Sequence, residues 1–204
     1  IPAILAQATN VLMFYIDASM VGMLGAKASA AIGIVEAATW LFVGLCVAAA
    51  MGFSVQVAHF IGANDFVKAR QVLRHAFVCG LVFASALALM GVAVHASLPF
   101  WLGGKADIAP AASNYFLVIS LCLPFMLLFH LSCDMLKSAG NMHVPSVMSV
   151  VLCVLDVVYN YFFIYLLGLG VMGAAIGTAL AYVTVSLPAT WITVRKNKIL
   201  ALQQ

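Results

Sequence analysis

The chain has 204 residues, of which 66% are hydrophobic and only 7% are charged, and its formal net charge is +3. A soluble domain contains roughly 25% charged residues, so this composition excludes a soluble globular fold. The positive charge does not indicate a nucleic-acid partner, because the basic residues lie at the ends of apolar runs without interleaved aromatic residues.

The apolar runs are long enough to cross a lipid bilayer as helices. A spanning helix needs about 20 mostly apolar residues, whereas a spanning β-strand would show about 10 residues of alternating pattern. We therefore predict an all-α polytopic membrane protein. Six spans are expected, at about residues 1–24, 30–58, 75–98, 109–136, 144–167 and 172–194.

The first two predicted spans each contain an acidic residue. Asp17 is eight residues before Gly25, where the first span ends, which places it about 12 Å below the outer surface. Glu36 and Trp40 are one turn apart in the second span and share a helix face. A carboxylate beside an aromatic ring suits an organic cation, although a charge near the interface could equally be satisfied by water.

Polar residues near the ends of the second and fourth spans have local structural explanations. Asn64 or Asp65 is placed to cap a short surface helix after the second span. His130 and Asp134, late in the fourth span, have an i, i+4 spacing that could hold a metal ion. Two ligands are too few for such a site, so a solvated or helix-packing role is favoured.

The fifth and sixth spans carry a further polar group. Asp156 and Asn160 interrupt the run VLDVVYNYFF one turn apart and on one helix face. Gly173 and Gly177 form a small-xxx-small pattern that lets a neighbouring helix approach, and Thr178 follows directly. Ionisable residues at this depth cost roughly 2.5–3.5 kcal/mol each and usually act on ions or substrates, whereas an isolated Asn often only hydrogen-bonds across helices.

Depths counted from the span ends place four oxygen-bearing side chains near one level, namely Asp17, Asp156, Asn160 and Thr178. These hard oxygen ligands suit a small cation such as Na⁺. Two carboxylates in a low dielectric cannot both stay ionised cheaply, so the pair could instead hold a proton. Both interpretations predict a coupling-ion site, with no other cofactor and no catalytic residue.

Lys and Arg residues are unequally distributed between the two sides of the predicted bundle. Two of them, Lys27 and Lys105, fall on one side, and seven fall on the other. The positive-inside rule assigns the side with seven to the cytoplasm, so both ends of the six-span chain should be cytoplasmic. The seven are Lys68, Arg70, Arg74, Lys137, Arg195, Lys196 and Lys198.

Several stretches occur in order along the whole chain. They are YIDASMVGMLGAKASAAIG, GFSVQVAHFIGANDFVKAR, CLPF with Pro124, LKSAGN and VLDVVYNYFFIYLLGLGVMGAAIGTALA. Together they resemble the N-terminal half of multidrug and toxic compound extrusion (MATE) transporters. The resemblance implies a twelve-helix antiporter of two six-helix lobes, driven by Na⁺ or H⁺, that expels cationic and amphipathic compounds. It also implies that the cation site falls on Asp17, Asp156, Asn160 and Thr178.

Two features depart from that family's pattern. The family's fifth-helix pair runs Asn then Asp, whereas here Asp156 precedes Asn160, which leaves the choice between Na⁺ and H⁺ open. Only one lobe is present, and the chain starts at Ile1 without an initiating Met or signal peptide, so we expect a fragment. Because six spans are an even number, a second lobe fused after Gln204 would have the same orientation. A homodimer of half-size chains is less favoured.

We therefore expect a secondary antiporter for organic cations in a bacterial inner membrane, and not an enzyme. A lipid-linked oligosaccharide flippase of the same superfamily is the first alternative, but it would need a cationic cavity. A membrane-embedded hydrolase is disfavoured because the chain has no HExxH, no GxSxG and no Gly-Asp pair within a span. A non-transporting subunit would leave Asp17 and Asp156 unexplained.

Overall fold

The computed structural model describes residues 2–196, which are largely helical and contain no β-strand. Ile1 and residues 197–204, with Lys198 and Gln204, lie outside the described part. The α-helices are α1 (Pro2–Gly22), α2 (Ala26–Gly62), α3 (Phe66–Val94), the short α4 (Leu98–Trp101), α5 (Ala109–Ser138), α6 (His143–Tyr161) and α7 (Gly170–Trp191). Two π-helical turns, Phe162–Leu166 and Ile192–Lys196, extend α6 and α7.

Six of these helices have the length of membrane spans. Within residues 2–196, five are both long and apolar enough to cross a bilayer: α2, α3, α5, α6 with its π-helical turn, and α7. Helix α1 has 21 residues and carries the polar residues Gln7, Thr9, Asn10 and Asp17. The predicted all-α polytopic membrane fold is therefore confirmed.

Helix α5 occupies the centre of the bundle and packs against α2, α3 and α7. Of its most apolar segment, 61% is buried, compared with 22% for α2. Phe116, Leu123 and Leu127 on α5 are almost completely enclosed. Large apolar residues on the outer face of α3, such as Val82 and Leu89, are exposed and would contact lipid. The outer helices therefore surround α5, and a cavity lies beside α1.

Helix α3 begins earlier than the third span was predicted to begin. The Oδ1 atom of Asp65 accepts a hydrogen bond from the Lys68 backbone N–H at 3.1 Å, so Asp65 caps a helix as expected. The separate short surface helix was a wrong prediction, because the capped segment is the first part of α3 itself. No Gly or Pro interrupts the chain between Phe66 and Gly80, so the helix continues into the membrane.

Candidate functional site

A cavity of about 320 Å³ lies between α1, α2, α5, α6 and α7. Its size is at the lower end of the range for small-molecule pockets. Polar and aromatic side chains share its wall, and no Lys or Arg is among the described residues that line it. The polar and aromatic lining residues are Phe14, Asp17, Ser29, Glu36, Thr39, Trp40, Tyr115, Asn160, Thr178 and Tyr182.

Three of the four predicted ion-site residues form one hydrogen-bonded cluster. Asn160 Nδ2 donates to Asp17 Oδ1 and to Asp156 Oδ2, each at 3.0 Å. Asp156 and Asn160 are almost completely buried, whereas Asp17 borders the cavity. An amide nitrogen carries two hydrogens and can give one to each carboxylate. Asn160 therefore bridges the acidic residues of α1 and α6.

The cluster contains oxygen atoms that lack a donor. Among the described residues, Asp156 Oδ1 and Asn160 Oδ1 have no hydrogen-bond partner. Thr178 on α7 lines the same cavity. A buried oxygen without a partner costs free energy. The cluster therefore has spare acceptor capacity for a proton or a small cation.

Two glycines on α7 make this arrangement possible. A Cβ atom at Gly177 would contact the Asn160 side-chain oxygen and lie 2.8 Å from the Asn160 backbone nitrogen. A Cβ atom at Gly173 would lie 2.8 Å from the Phe163 carbonyl oxygen in the π-helical turn. Real Cβ atoms do not approach other atoms this closely. The predicted close approach at the small-xxx-small pattern is therefore confirmed, and the neighbour is α6 with its π-helical turn.

Glu36 and Trp40 line the α2 side of the same cavity. Trp40 is 58% exposed, and its ring lies 5.8 Å from that of Phe14 on α1, centroid to centroid. In the described part of the chain, Glu36 forms no ion pair, because the three pairs are Lys27 with Asp107, Lys68 with Asp65, and Lys137 with Asp134. The structure thus brings Glu36 and Asp17 to one cavity, where Asp17 accepts a hydrogen bond from Asn160.

The structure gives His130 packing contacts and Asp134 an ion pair, in line with the solvated or helix-packing role that was favoured for them. Asp134 Oδ1 pairs with Lys137 Nζ at 2.9 Å. The His130 ring packs against Phe129 and Tyr182, with centroid distances of 5.5 and 6.3 Å. Over residues 2–196, no group of three or more His, Cys, Asp or Glu side chains could hold a metal ion.

Sequence reasoning did not identify the aromatic wall of the cavity. Phe14 is three residues before Asp17 on α1, so its position on the same helix face was a usable signal. Tyr115 on α5 and Tyr182 on α7 gave no such signal. Both lie in helices with apolar residues on every side, and only the packing of those helices turns the two rings towards the cavity.

Comparison with known proteins relates the chain to one family. The family model MatE matches residues 2–162. The chain is 24% identical over 203 residues to the multidrug export protein MepA of Staphylococcus saprophyticus, which covers 99% of this chain and 45% of that protein. It is 24% identical over 137 residues to MepA of Staphylococcus aureus strain NCTC 8325, which covers 67% of this chain and 30% of that protein.

Solved structures show the same fold. A MOP superfamily transporter from Pyrococcus furiosus superposes with a TM-score of 0.92 at 24% identity, covering 98% of this chain and 44% of that one. A MATE protein in complex with MaD5 gives a TM-score of 0.94 at 24% identity, covering 100% and 46%. The chain thus spans less than half the length of these relatives. Because the family model matches well over half of it, the chain belongs to the MatE family and corresponds to the N-terminal six-helix lobe of a MATE transporter.

Proposed function

We propose that this chain is the ion- and substrate-binding half of a secondary antiporter that exports cationic or amphipathic compounds in exchange for Na⁺ or H⁺. The observation that carries this proposal is the Asp17, Asn160 and Asp156 cluster, which has unpaired buried oxygens and borders a cavity with aromatic walls. The MepA relatives are multidrug export proteins by name, which supports this class of substrate.

The coupling ion would bind between the two carboxylates. One positive charge, as Na⁺ or H⁺, would relieve the repulsion between Asp17 and Asp156. For Na⁺, Asp156 Oδ1 and the Thr178 hydroxyl supply hard oxygen ligands. The Asn160 amide now presents its nitrogen to both acids, and its oxygen lies against Gly177. Asn160 can contribute an oxygen ligand only if this amide turns over.

Ion binding at Asp17 would act on helix α1. This helix packs mainly on α6 and only weakly on α2 and α7. Side-chain hydrogen bonds connect it to α6 and its π-helical turn, including those from Asn160 to Asp17 at 3.0 Å and from the Tyr165 hydroxyl to the Met20 carbonyl at 3.2 Å. A bound ion would favour one position of α1 over another, and this differential affinity would drive the change. Because Phe14 of α1 lines the cavity, that movement would reduce the cavity and release the substrate outside.

The proposed location is a bacterial cytoplasmic membrane, with both ends of the six-helix unit on the inner side. Ser54 and Ser138 share a 2.8 Å hydrogen bond, so one end of α2 lies beside one end of α5. Basic residues gather at this end, namely Lys68, Arg70, Arg74 and Lys137. At the other end, Lys27 pairs with Asp107 at 3.3 Å. The positive-inside rule then favours the first end as cytoplasmic.

A second six-helix lobe would complete the cavity. It would come from the same chain in the whole protein, or less favourably from a second copy of this chain. The relatives support the first arrangement because each is more than twice as long as the part that this chain matches.

A lipid-linked oligosaccharide flippase remains the alternative within transport. Its pyrophosphate-bearing substrate requires cationic side chains in the cavity. The described cavity wall instead carries Asp17 and Glu36 without Lys or Arg, so an organic cation fits better. No catalytic role is proposed for any residue.

The experiment for this proposal is ethidium efflux by the complete protein in membrane vesicles. We expect Asp17→Asn to abolish efflux driven by an imposed ion gradient, because the coupling site loses a charge. Asp107→Asn is the matched control, since Asp107 also pairs with another group but lies on the exposed surface; its efflux should equal that of the wild type. Ion-driven efflux at the wild-type rate in Asp17→Asn would contradict the coupling site.

A further inference from the structure

We infer that Glu36 holds the positive charge of the exported compound at a point separate from the Asp17 and Asp156 cluster, so that substrate and coupling ion are bound at the same time. This inference rests on the proposed function, because it divides one cavity between the two ligands of an antiporter.

The first observation is the charge of Glu36. It lies ten residues into α2, about 15 Å from the start of that helix. No ion pair or side-chain hydrogen bond involves Glu36 among residues 2–196. An acidic residue within a membrane span is expensive unless it faces a cavity or a partner. Glu36 faces the cavity, so a cationic ligand in the cavity would supply the positive charge that pairs with its carboxylate.

The second observation is the aromatic surface next to Glu36. Trp40 is one turn further along α2, and its ring packs on Phe14 at a centroid distance of 5.8 Å. Tyr115 lines the same space. Aromatic faces attract organic cations and also bury their apolar groups. Glu36 with these rings therefore fits a bulky monovalent organic cation better than a bare metal ion, for which one carboxylate offers too few oxygens.

The third observation is that the ion cluster is less accessible than Glu36, so the two positions accept ligands of different size. Asp156 is 0% exposed and does not contribute to the cavity surface. Asp17 Oδ1 already accepts a hydrogen bond from Asn160. A bulky cation cannot reach the enclosed Asp156 oxygens, whereas Na⁺ or a proton can. Size thus directs the small ion to the cluster and the organic cation to Glu36.

Simultaneous binding has a measurable signature. In antiport the ion must weaken substrate binding, and two separate sites give a finite coupling factor between them. The apparent Kd for the substrate then rises with ion concentration to a plateau. A single shared site would instead make the apparent Kd rise in proportion to ion concentration, without limit.

Tetraphenylphosphonium is the probe, and its neutral counterpart is triphenylphosphine oxide. Binding to the purified complete protein is measured by equilibrium dialysis. We expect Glu36→Gln to weaken tetraphenylphosphonium binding at least tenfold while triphenylphosphine oxide binding stays within about twofold. Glu36→Asp should recover most of the loss because it restores the charge. The control Asp107→Asn, which removes an exposed carboxylate, should change neither affinity.

The wild-type protein supplies the second test without any substitution. Its apparent Kd for tetraphenylphosphonium, measured against Na⁺ concentration and against pH, should reach a plateau for the coupling ion. A rise without a plateau would overturn the inference, and so would wild-type affinity in Glu36→Gln. If Asp17→Asn still loses ion-driven efflux, either result leaves the proposed function standing. If the wild type neither binds nor exports an organic cation, the proposed function fails as well.

Discussion

The amide of Asn160 holds the carboxylates of Asp17 and Asp156 in place. It is the shared donor to Asp17 and Asp156, and without it two carboxylates would face each other with less compensation. The two N–H groups of this amide therefore reduce the repulsion between the carboxylates, as a cation bound between them would. Under the proposed function, Asn160 would change partners if its oxygen were to bind the coupling ion.

We predict that Asn160→Leu destabilises the protein and abolishes coupled transport. Leucine has a similar volume but donates no hydrogen bond, and a hydrogen bond to a charged group contributes about 1.5–3 kcal/mol. The midpoint of thermal unfolding in detergent should fall clearly, and ion-driven ethidium efflux should be lost. Unchanged stability together with unchanged efflux would show that the bridge between the acids has no role.

The sequence predicted a similar depth along their helices for Asp17, Asp156, Asn160 and Thr178, but it could not predict the contacts between them. Counting residues from the span ends indicates depth, because a helix rises by a fixed amount per residue. It does not give the rotation of each helix about its axis. The bridge through Asn160 and the unpaired Asp156 oxygen depend on that rotation, and so does the position of Glu36 beside the cavity that Asp17 lines.

Helix α7 packs closely against α6 at two glycines. This contact sets the position of Asn160 and therefore of the Asp17, Asn160 and Asp156 cluster. Gly173 meets the π-helical turn and Gly177 meets Asn160. The spacing of the two glycines predicted a close approach of some neighbour. The sequence could not name that neighbour or the π-helical turn, because both depend on tertiary packing.

A methyl group at Gly177 should separate these two helices. We predict that Gly177→Ala destabilises the protein by about 1–3 kcal/mol, the usual cost of overpacking, and impairs efflux. Gly44 on α2 is the matched control, since a Cβ atom there would have nothing within 4 Å. Thermal unfolding of the two variants in detergent measures the difference. Equal stability of Gly177→Ala and Gly44→Ala would contradict the described packing.

The whole molecule is a lobe built around α5, and composition alone could not reveal this. Lipid and protein interiors are similarly apolar, so outward and inward faces of a membrane helix carry similar residues. Some interior contacts are marked instead by small and hydroxyl residues. Ser132 on α5 meets Thr190 on α7 at 3.1 Å, and Ser138 on α5 meets Ser54 on α2 at 2.8 Å. The sequence cannot identify such hydroxyl pairs, because it does not show which helices are neighbours.

Helix α1 has a distinct place in this lobe. It lines the cavity through Phe14 and Asp17, and its main neighbour is α6. The other long helices pack on or around the central α5. Under the proposed function, an ion bound between α1 and α6 would therefore move α1 while the rest of the lobe keeps its packing.

The most direct test of the central claim is ion movement driven by substrate. The complete protein is reconstituted into liposomes without ATP, an outward gradient of tetraphenylphosphonium is imposed, and internal Na⁺ and pH are followed with fluorescent dyes. Antiport predicts that substrate leaving the liposomes brings one of the two ions in, and that Asp156→Asn stops this ion entry. Substrate efflux that moves neither ion in the wild type, or equal ion entry in Asp156→Asn, would contradict coupling at the cluster.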